Sequence, residues 1–294
     1  MKPDTLTTKI FLDGGNPDET REIIDYLGFL DGQTTNPTLI SKNPELRGHI
    51  EKGGKFTEEE LLGYYKDVVG KISGMVPGGS VSVEVYADPS TKAGKMLEQG
   101  REMFSWIPNA HIKFPTSEEG LKAAEQAVKE GIRVNLTLCF SQEQAAAVYA
   151  ATRGAKRGDV FVSPFIGRLD DRGENGMDLI ANIMKMYRMS DGHVEVLTAS
   201  VRNIDHLLYA IQLGSDIITV PFEILKDWRY RELPMPGGDY YYNSGGRESI
   251  PYKEIDLSKD RRDYDIRHDL TAKGMERFSK DWNSLIAQPA GAHK

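Results

Sequence analysis

The sequence predicts an α/β protein folded as a single (β/α)8 TIM barrel with a C-terminal extension. Three observations lead there. Short apolar or alternating runs bounded by turn residues recur eight times, helix-like stretches lie between them, and polar side chains gather where the runs end. Strand, helix, strand, repeated eight times, is the pattern of a parallel sheet, and eight strands within about 220 residues suit a closed barrel. An open doubly wound sheet satisfies the same order of elements and remains the alternative from pattern alone.

Strands are predicted at 8–13 (TKIFLD), 33–36 (QTTN), 81–87 (VSVEVYA), 111–115 (HIKFP), 133–139 (RVNLTLC), 160–165 (VFVSPF), 194–200 (VEVLTAS) and 216–221 (DIITVP). Helices are predicted at 18–27, 58–72, 118–129, 142–151 and 203–213, with Gly131 and Gly214 closing two of them. The gap between the second and third strands is long and Gly-rich on either side of its helix. Past the eighth strand, 234–246 (PMPGGDYYYNSGG) has no period and reads as a linker. The segment 271–285 then places Met275, Phe278, Trp282 and Leu285 at helical spacing. The expected division is a catalytic barrel over 1–228, followed over 229–294 by a linker and an amphipathic helix. That apolar stripe must be covered by the barrel or a neighbouring subunit, and a homo-oligomer is expected.

The 294 residues carry a formal charge of −7 and a pI near 5.5, which argues against binding a phosphate backbone; no nucleic-acid partner is expected. The single cysteine, Cys139, cannot form an intrachain disulfide and fits a reducing compartment; it is read as facing outward from its strand. No secretory pattern and no apolar stretch near about 18 residues is found, so a cytoplasmic protein without a membrane partner is expected. The six His lack metal-ligand spacing, and neither GxGxxG nor GxxxxGK[ST] occurs; no cofactor and no metal is expected. The glycosylation sequon at Asn135-Leu136-Thr137 falls inside a predicted buried strand and is rejected.

The informative feature is which strand face is polar. Ser82, Glu84 and Tyr86 alternate with Val81, Val83 and Val85; Asn135 and Thr137 alternate with Val134, Leu136 and Leu138. Lys113 lies between Ile112 and Phe114, while Asp13, Asn36, Ser163 and Ser200 each close a strand. In a barrel the outward face packs on helices, so these side chains should point inward near the C-terminal ends, where barrel active sites lie. Buried polar groups are costly unless paired, and the set reads as the wall of a polar pocket. Taken singly, each has an ordinary explanation. Lys113 could be an edge-strand lysine, Asp13 a turn residue before Gly14 and Gly15, Ser163 and Ser200 strand-end turn residues, and Arg168 and Arg202 solvated loop arginines.

Five segments in order narrow this. TTNPTLI at 34–40, HIKFPTSEEGLKAAE at 111–125, NLTLCFS at 135–141, SPFIGR at 163–168 and TASVRN at 198–203 resemble the transaldolase family, together covering residues 8 to 225 or so. Four features depart from its pattern: Gln33 before TTNP, Phe114 after the lysine, Val201 in the SxRN segment, and the continuation YADPSTKAG of the third strand. They suggest a compact subgroup.

The resemblance implies a lysine Schiff-base enzyme of the pentose phosphate pathway. It would transfer a dihydroxyacetone unit between sugar phosphates, which are the expected small-molecule partners. Lys113 would be the nucleophilic amine, which must be neutral to attack. Asp13 would take the C4 hydroxyl proton, and Glu84 with Thr137 would shuttle protons through a water. Asn36, Asn135, Ser163 and Ser200 would bind the sugar hydroxyls and the dihydroxyacetone portion, and Arg168 and Arg202 the phosphate, which a guanidinium grips bidentately. Within the family, transaldolases carry Glu on the third strand and Phe in the SPF segment, where aldolase-like members carry Gln and Tyr. Glu84 and Phe165 are the transaldolase choices. A fructose-6-phosphate aldolase-like enzyme and a non-catalytic sugar-phosphate-binding barrel are the competing readings.

Overall fold

The computed structural model describes residues 2–287. Eight parallel strands close into a barrel in sequential order: β1 (Lys9–Asp13), β2 (Gly32–Thr34), β3 (Ser80–Glu84), β4 (Ala110–Pro115), β5 (Val134–Cys139), β6 (Val160–Pro164), β7 (Val194–Thr198) and β8 (Ile217–Val220). β8 pairs with β1 from Lys9 opposite Ile217 to Leu12 opposite Val220, so the open-sheet alternative is excluded. Closure leaves no unpaired edge.

The helical layer contains α1 (Pro17–Leu27), α2 (Pro37–Ser41), α3 (Pro44–Glu51), α4 (Glu58–Met75), α5 (Ala93–Phe104), α6 (Glu118–Lys129), α7 (Gln142–Ala151), α8 (Ile166–Asp170), α9 (Gly176–Tyr187), α10 (Ile204–Leu213) and α11 (Phe222–Tyr230). Asn16, Asn36, Asn43, Thr57, Ser117, Ser141 and Asn203 cap helix N-termini through their side chains, which satisfies backbone donors the helices leave free. The long gap between β2 and β3 holds three helices rather than one. The two additional ones, α2 and α3, are 5 and 8 residues long and each starts at a proline, too short to display a period. No helix among the described residues is long and apolar enough to cross a membrane.

Two of the departures from the family pattern have a packing reason. Gln33 is fully buried, accepts from Thr20 Oγ1 at 2.8 Å and donates to the Gly14 carbonyl at 2.8 Å, tying β2 to the turn after β1. Phe114 is fully buried against Gly100 of α5, where an added Cβ would lie 2.9 Å from the ring. Strict alternation on β5 stops at Leu138, whose φ of 58° coincides with a register shift between Leu136 and Cys139. Cys139 is thereby turned to the helix side, near Tyr187 of α9. Burial pushes its thiol up to about 12.

After α11 the chain runs along the outside of the helical layer. Glu248 exchanges backbone bonds with Gly173 and Asn175, Asn182 donates to the Ile250 carbonyl, Gln142 pairs with the Lys253 backbone, and Arg261 reaches Glu125. The final helix, α12 (Asp269–Asn283), then packs on α2 and β5. Met275, Phe278, Trp282 and Leu285 are all buried, and Thr271 Oγ1 donates to the Leu138 carbonyl at 2.9 Å. Residues 288–294 of the expected extension lie outside the described residues.

Glycine is required where α6 starts. A Cβ on Gly120 would sit 1.9 Å from the Pro115 carbonyl oxygen, at the end of β4, whereas a Cβ on Gly70 of α4 would meet nothing within 4 Å. Helix propensity alone favours Ala over Gly by about 1 kcal/mol at either site. Gly70→Ala is therefore expected to stabilise the protein by about 0.5–1 kcal/mol, and Gly120→Ala to destabilise it. Urea unfolding of both variants checks the opposite signs; a Gly120→Ala protein as stable as wild type would show that α6 and β4 separate freely.

Candidate active site

The polar ends of the strands converge at the C-terminal mouth of the barrel on a cavity of about 140 Å³. Its lining includes Asp13, Asn36, Lys113, Ser163, Phe165, Arg168, Ser200 and Arg202, eight of the eleven residues singled out from sequence. Glu84, Asn135 and Thr137 do not line it; they are buried in the wall around it. A larger cavity of about 500 Å³ lies at the opposite end of the barrel. There His111 stacks on Phe161 at 4.0 Å and contacts Ser80 Oγ and the Gly158 carbonyl, and burial pulls its pKa down to about 3. That histidine is part of the barrel floor.

Lys113 is 3 % exposed, and its Nζ lies 2.7 Å from Glu84 Oε2 and 2.9 Å from the Thr35 carbonyl. The parallel register makes this pair, because Glu84 of β3 stands opposite Lys113 of β4. Burial raises the Glu84 carboxyl above the usual range, opposed mainly by the Lys113 charge. Asp13 is also raised by burial, and Lys113 again opposes the shift. Thr34 Oγ1 donates to Asp13 Oδ1 at 2.8 Å and holds the carboxylate on the cavity side.

Asn135, opposite Lys113 on β5, donates to Ser82 Oγ at 3.1 Å and accepts from Ser163 Oγ at 2.6 Å. The chain of hydrogen bonds orients Ser163 toward the cavity and leaves Asn135 one step behind it. Thr137 Oγ1 is fully buried with no hydrogen-bond partner among the described residues, an unused hydroxyl two residues beyond Asn135. Asn36 is not the end of a strand: it caps α2, accepting from Leu39 N at 2.9 Å, and its amide nitrogen makes no hydrogen bond among the described residues.

The outer part of the cavity is cationic. The Arg168 guanidinium lies over the Phe165 and Phe278 rings, 5.4 Å from each centroid, and makes no hydrogen bond or ion pair among the described residues. Burial lowers its pKa below the usual arginine value, and the neighbouring charges of Arg277 and Arg202 add to the shift. Arg202 pairs with Asp171 at 2.9 Å, while its backbone N–H donates to His206 Nδ1. That bond makes Nδ1 the acceptor and puts the imidazole proton on Nε2, 3.0 Å from Asp170. Ser200 adopts left-handed backbone (φ 62°), a conformation costing about 1–2 kcal/mol in a non-glycine residue. The turn lets the Ser200 carbonyl accept from Gly167 N at 3.1 Å, bringing the Arg168 and Arg202 segments together.

Thr34, Thr219, Arg277 and Phe278 also line the cavity and were not singled out as site residues. Thr34 and Thr219 share a 2.6 Å hydrogen bond across β2 and β8. Alternation within IITV could have flagged Thr219. Phe278 was read only as part of an apolar stripe, and nothing local in the sequence points to Arg277.

Comparison with known proteins identifies the family. The family described as Transaldolase/Fructose-6-phosphate aldolase matches residues 10–288. A protein of Dehalococcoides mccartyi named "Probable transaldolase" is 35% identical over 278 residues, covering 94% of this chain and 99% of that protein. A protein of the same name from Thermoplasma volcanium is 42% identical over 218 residues, covering 74% and 86% of the two chains. Another from Thermus thermophilus is 34% identical, covering 94% and 99%. The chain belongs to the transaldolase/fructose-6-phosphate aldolase family.

Proposed function

We propose that the protein is a transaldolase. It takes a dihydroxyacetone unit from a ketose phosphate, sedoheptulose 7-phosphate or fructose 6-phosphate, and passes it to glyceraldehyde 3-phosphate or erythrose 4-phosphate through an imine on Lys113. The observation that carries this reading is a buried amine held 2.7 Å from a carboxylate and opening on a cavity that a second carboxylate, Asp13, shares. A silent sugar-phosphate binder has no use for a buried nucleophile flanked by two carboxyls.

Lys113 Nζ gives a proton to Glu84 and attacks the ketose C2 carbonyl. The carbinolamine hydroxyl leaves as water, with Glu84 returning the proton and Thr137 steadying that water through its unpartnered hydroxyl. Asp13 then takes the C4 hydroxyl proton as the C3–C4 bond breaks. The bond's electron pair flows into the imine, leaving an enamine on Lys113 and a free aldose. The enamine attacks the aldehyde of the second aldose phosphate, Asp13 returns the proton, and hydrolysis of the imine releases the new ketose. Ser163 and Asn36 face the dihydroxyacetone portion, with Asn135 acting chiefly through Ser163, and Ser200, Arg168 and Arg202 face the phosphate end.

Transfer instead of simple cleavage requires the loaded imine to outlast water. Phe165 is 8 % exposed and contributes a ring without a donor or acceptor, edge-on to Phe140 at 6.0 Å. A tyrosine hydroxyl there would supply a proton or orient water, favouring release of free dihydroxyacetone as in the aldolase-like members.

Borohydride added with fructose 6-phosphate is expected to inactivate the enzyme and leave a reduced three-carbon adduct on Lys113. Mass spectrometry locating the adduct on another lysine, or full activity after treatment, would sink the imine mechanism. Phe165→Tyr is expected to raise dihydroxyacetone release in the absence of acceptor; wild type releasing it as fast as it transfers to erythrose 4-phosphate would favour the aldolase reading. The acid side of the kcat/KM profile follows from the raised carboxyls. Asp13 and Glu84 must be ionised to accept protons, and burial shifts both ionisations upward, so activity should fall away at a pH above the ordinary carboxylate range of about 4. Glu84→Gln leaves one of the two ionisations and should make that fall shallower. A wild-type limb at or below about pH 4 contradicts the assignment.

A further inference from the structure

Arg277 belongs to none of the five barrel motifs, yet it lines the same cavity as Arg168 and Arg202. We propose that Arg277, carried over the mouth by α12, is a third phosphate ligand that sets the preference for phosphorylated over unphosphorylated sugars. The proposal rests on the phosphate reading of Arg168 and Arg202.

Three guanidinium groups around one cavity repel one another unless an anion joins them. Among the described residues, the carboxylates nearby do little to relieve that repulsion. Arg202 has Asp171, but Arg168 makes no hydrogen bond or ion pair among the described residues. Arg277 has only Asp281, at 3.9 Å, and that carboxylate already accepts from the Thr38 hydroxyl. Of the charged neighbours acting on Arg168, Arg277 is the strongest, ahead of Glu84 and Arg202. A sugar phosphate carries close to two negative charges at neutral pH and offers three acceptor oxygens, which matches a set of planar, bidentate donors better than a carboxylate does.

The packing of α12 selects this arrangement. A Cβ on Gly274 would lie 2.6 Å from Leu138 Cδ2 and 2.8 Å from Arg168 Nη1, so only glycine lets the helix backbone come this close to the arginine. Arg277, Phe278 and Asp281 follow at three, four and seven residues, on the same face of the helix. Phe278 covers the Arg168 guanidinium and Asp281 is tied to Thr38 of α2. The backbone at Arg277 is thus held between two anchors at the edge of the cavity. Its side chain is 60 % exposed, which leaves it room to swing onto a phosphate entering from solvent.

The test compares Arg277→Gln, Arg277→Lys and, as a reference, Arg168→Gln, in the full-length enzyme. Two quantities are read: the ratio of kcat/KM for fructose 6-phosphate over fructose, with erythrose 4-phosphate as acceptor, and competitive inhibition by inorganic phosphate. Arg277→Gln should lower the ratio and weaken phosphate inhibition about tenfold, equivalent to about 1.4 kcal/mol, with Arg277→Lys in between. If Arg168→Gln changes both quantities and Arg277→Gln neither, Arg277 is a solvated arginine and the proposal falls while the transaldolase reading stands. Equal losses for fructose and fructose 6-phosphate make α12 a structural roof only, which also overturns it. If Arg168→Gln leaves both quantities unchanged, the phosphate lies elsewhere and the underlying assignment fails as well.

Discussion

Burial of the Lys113 ammonium beside the Glu84 carboxylate, 2.7 Å away, is the interaction around which the mouth of the barrel is organised. Removing two such ions from water costs several kcal/mol each, and their attraction offsets that only when the geometry is good and further hydrogen bonds are made. The Thr35 carbonyl supplies one of these to Lys113 at 2.9 Å. Thr35 is itself held on both sides. Its hydroxyl donates to the Ser82 carbonyl at 2.8 Å, so the Tyr65 hydroxyl, 2.6 Å away, must donate to Thr35, and the same Tyr65 oxygen accepts from the Glu84 backbone N–H at 2.9 Å. One tyrosine from α4 is therefore bonded to both residues that face the amine, through the Thr35 hydroxyl and the Glu84 backbone N–H. Its ring lies 5.9 Å from Trp282, so the final helix rests on the residue that aligns the ion pair.

The cavity is electrically divided along its length. At its inner end a lysine faces two carboxyls, and at its outer end are three arginines. In the transaldolase reading this division orients the substrate before any chemistry occurs: the phosphate is drawn outward to the guanidinium groups and the carbonyl inward to the amine. The division is one of pairing rather than of isolation: Glu84 and Arg168 feel each other's charge, yet Glu84 pairs with Lys113 at 2.7 Å and Arg168 makes no ion pair among the described residues. The arrangement works because a closed barrel sends each strand end to a different point on the rim, so opposite charges can share a cavity without neutralising one another.

What could be read in the sequence is what short-range pattern encodes. Alternation reports which face of a strand is buried, so Glu84, Lys113 and Asn135 could be assigned to the interior before any coordinates, and Gly131 and Gly214 marked helix ends. Where the backbone leaves regular geometry, pattern carries less. Cys139 reads as outward and does face the helix side, but what puts it there is Leu138 with its positive φ, since strict alternation would group it with Asn135 and Thr137. Ser200 was recognisable as a candidate, but not the left-handed turn that joins it to Gly167. Asn36 reads as a strand end and is instead a helix cap, because TTN followed by Pro satisfies both descriptions. Arg277 was hidden for a different reason. Its importance depends on where α12 docks, and docking is fixed by contacts with Leu138, Thr38 and Tyr65, more than 100 residues away in the sequence.

The final helix joins two requirements that oppose each other in a transfer enzyme. A loaded intermediate survives only if water is excluded, which favours a tight roof; a second substrate must enter before the first product's partner is lost, which favours an opening. The roof is held by the apolar side chains Met275, Phe278, Trp282 and Leu285, and burying a residue of this kind contributes about 1.5–3 kcal/mol. Lifting the whole helix on each turnover would thus cost more than a fast cycle tolerates. Arg277 and Phe278 resolve the conflict in the transaldolase reading, because they belong to the roof but differ in freedom. Phe278 is buried on Arg168 and shields that part of the cavity from water, while Arg277 is exposed at its rim and can reorient without moving the backbone. Entry can then proceed past one exposed side chain whose charge suits the phosphorylated acceptor, with the helix and the water barrier staying in place.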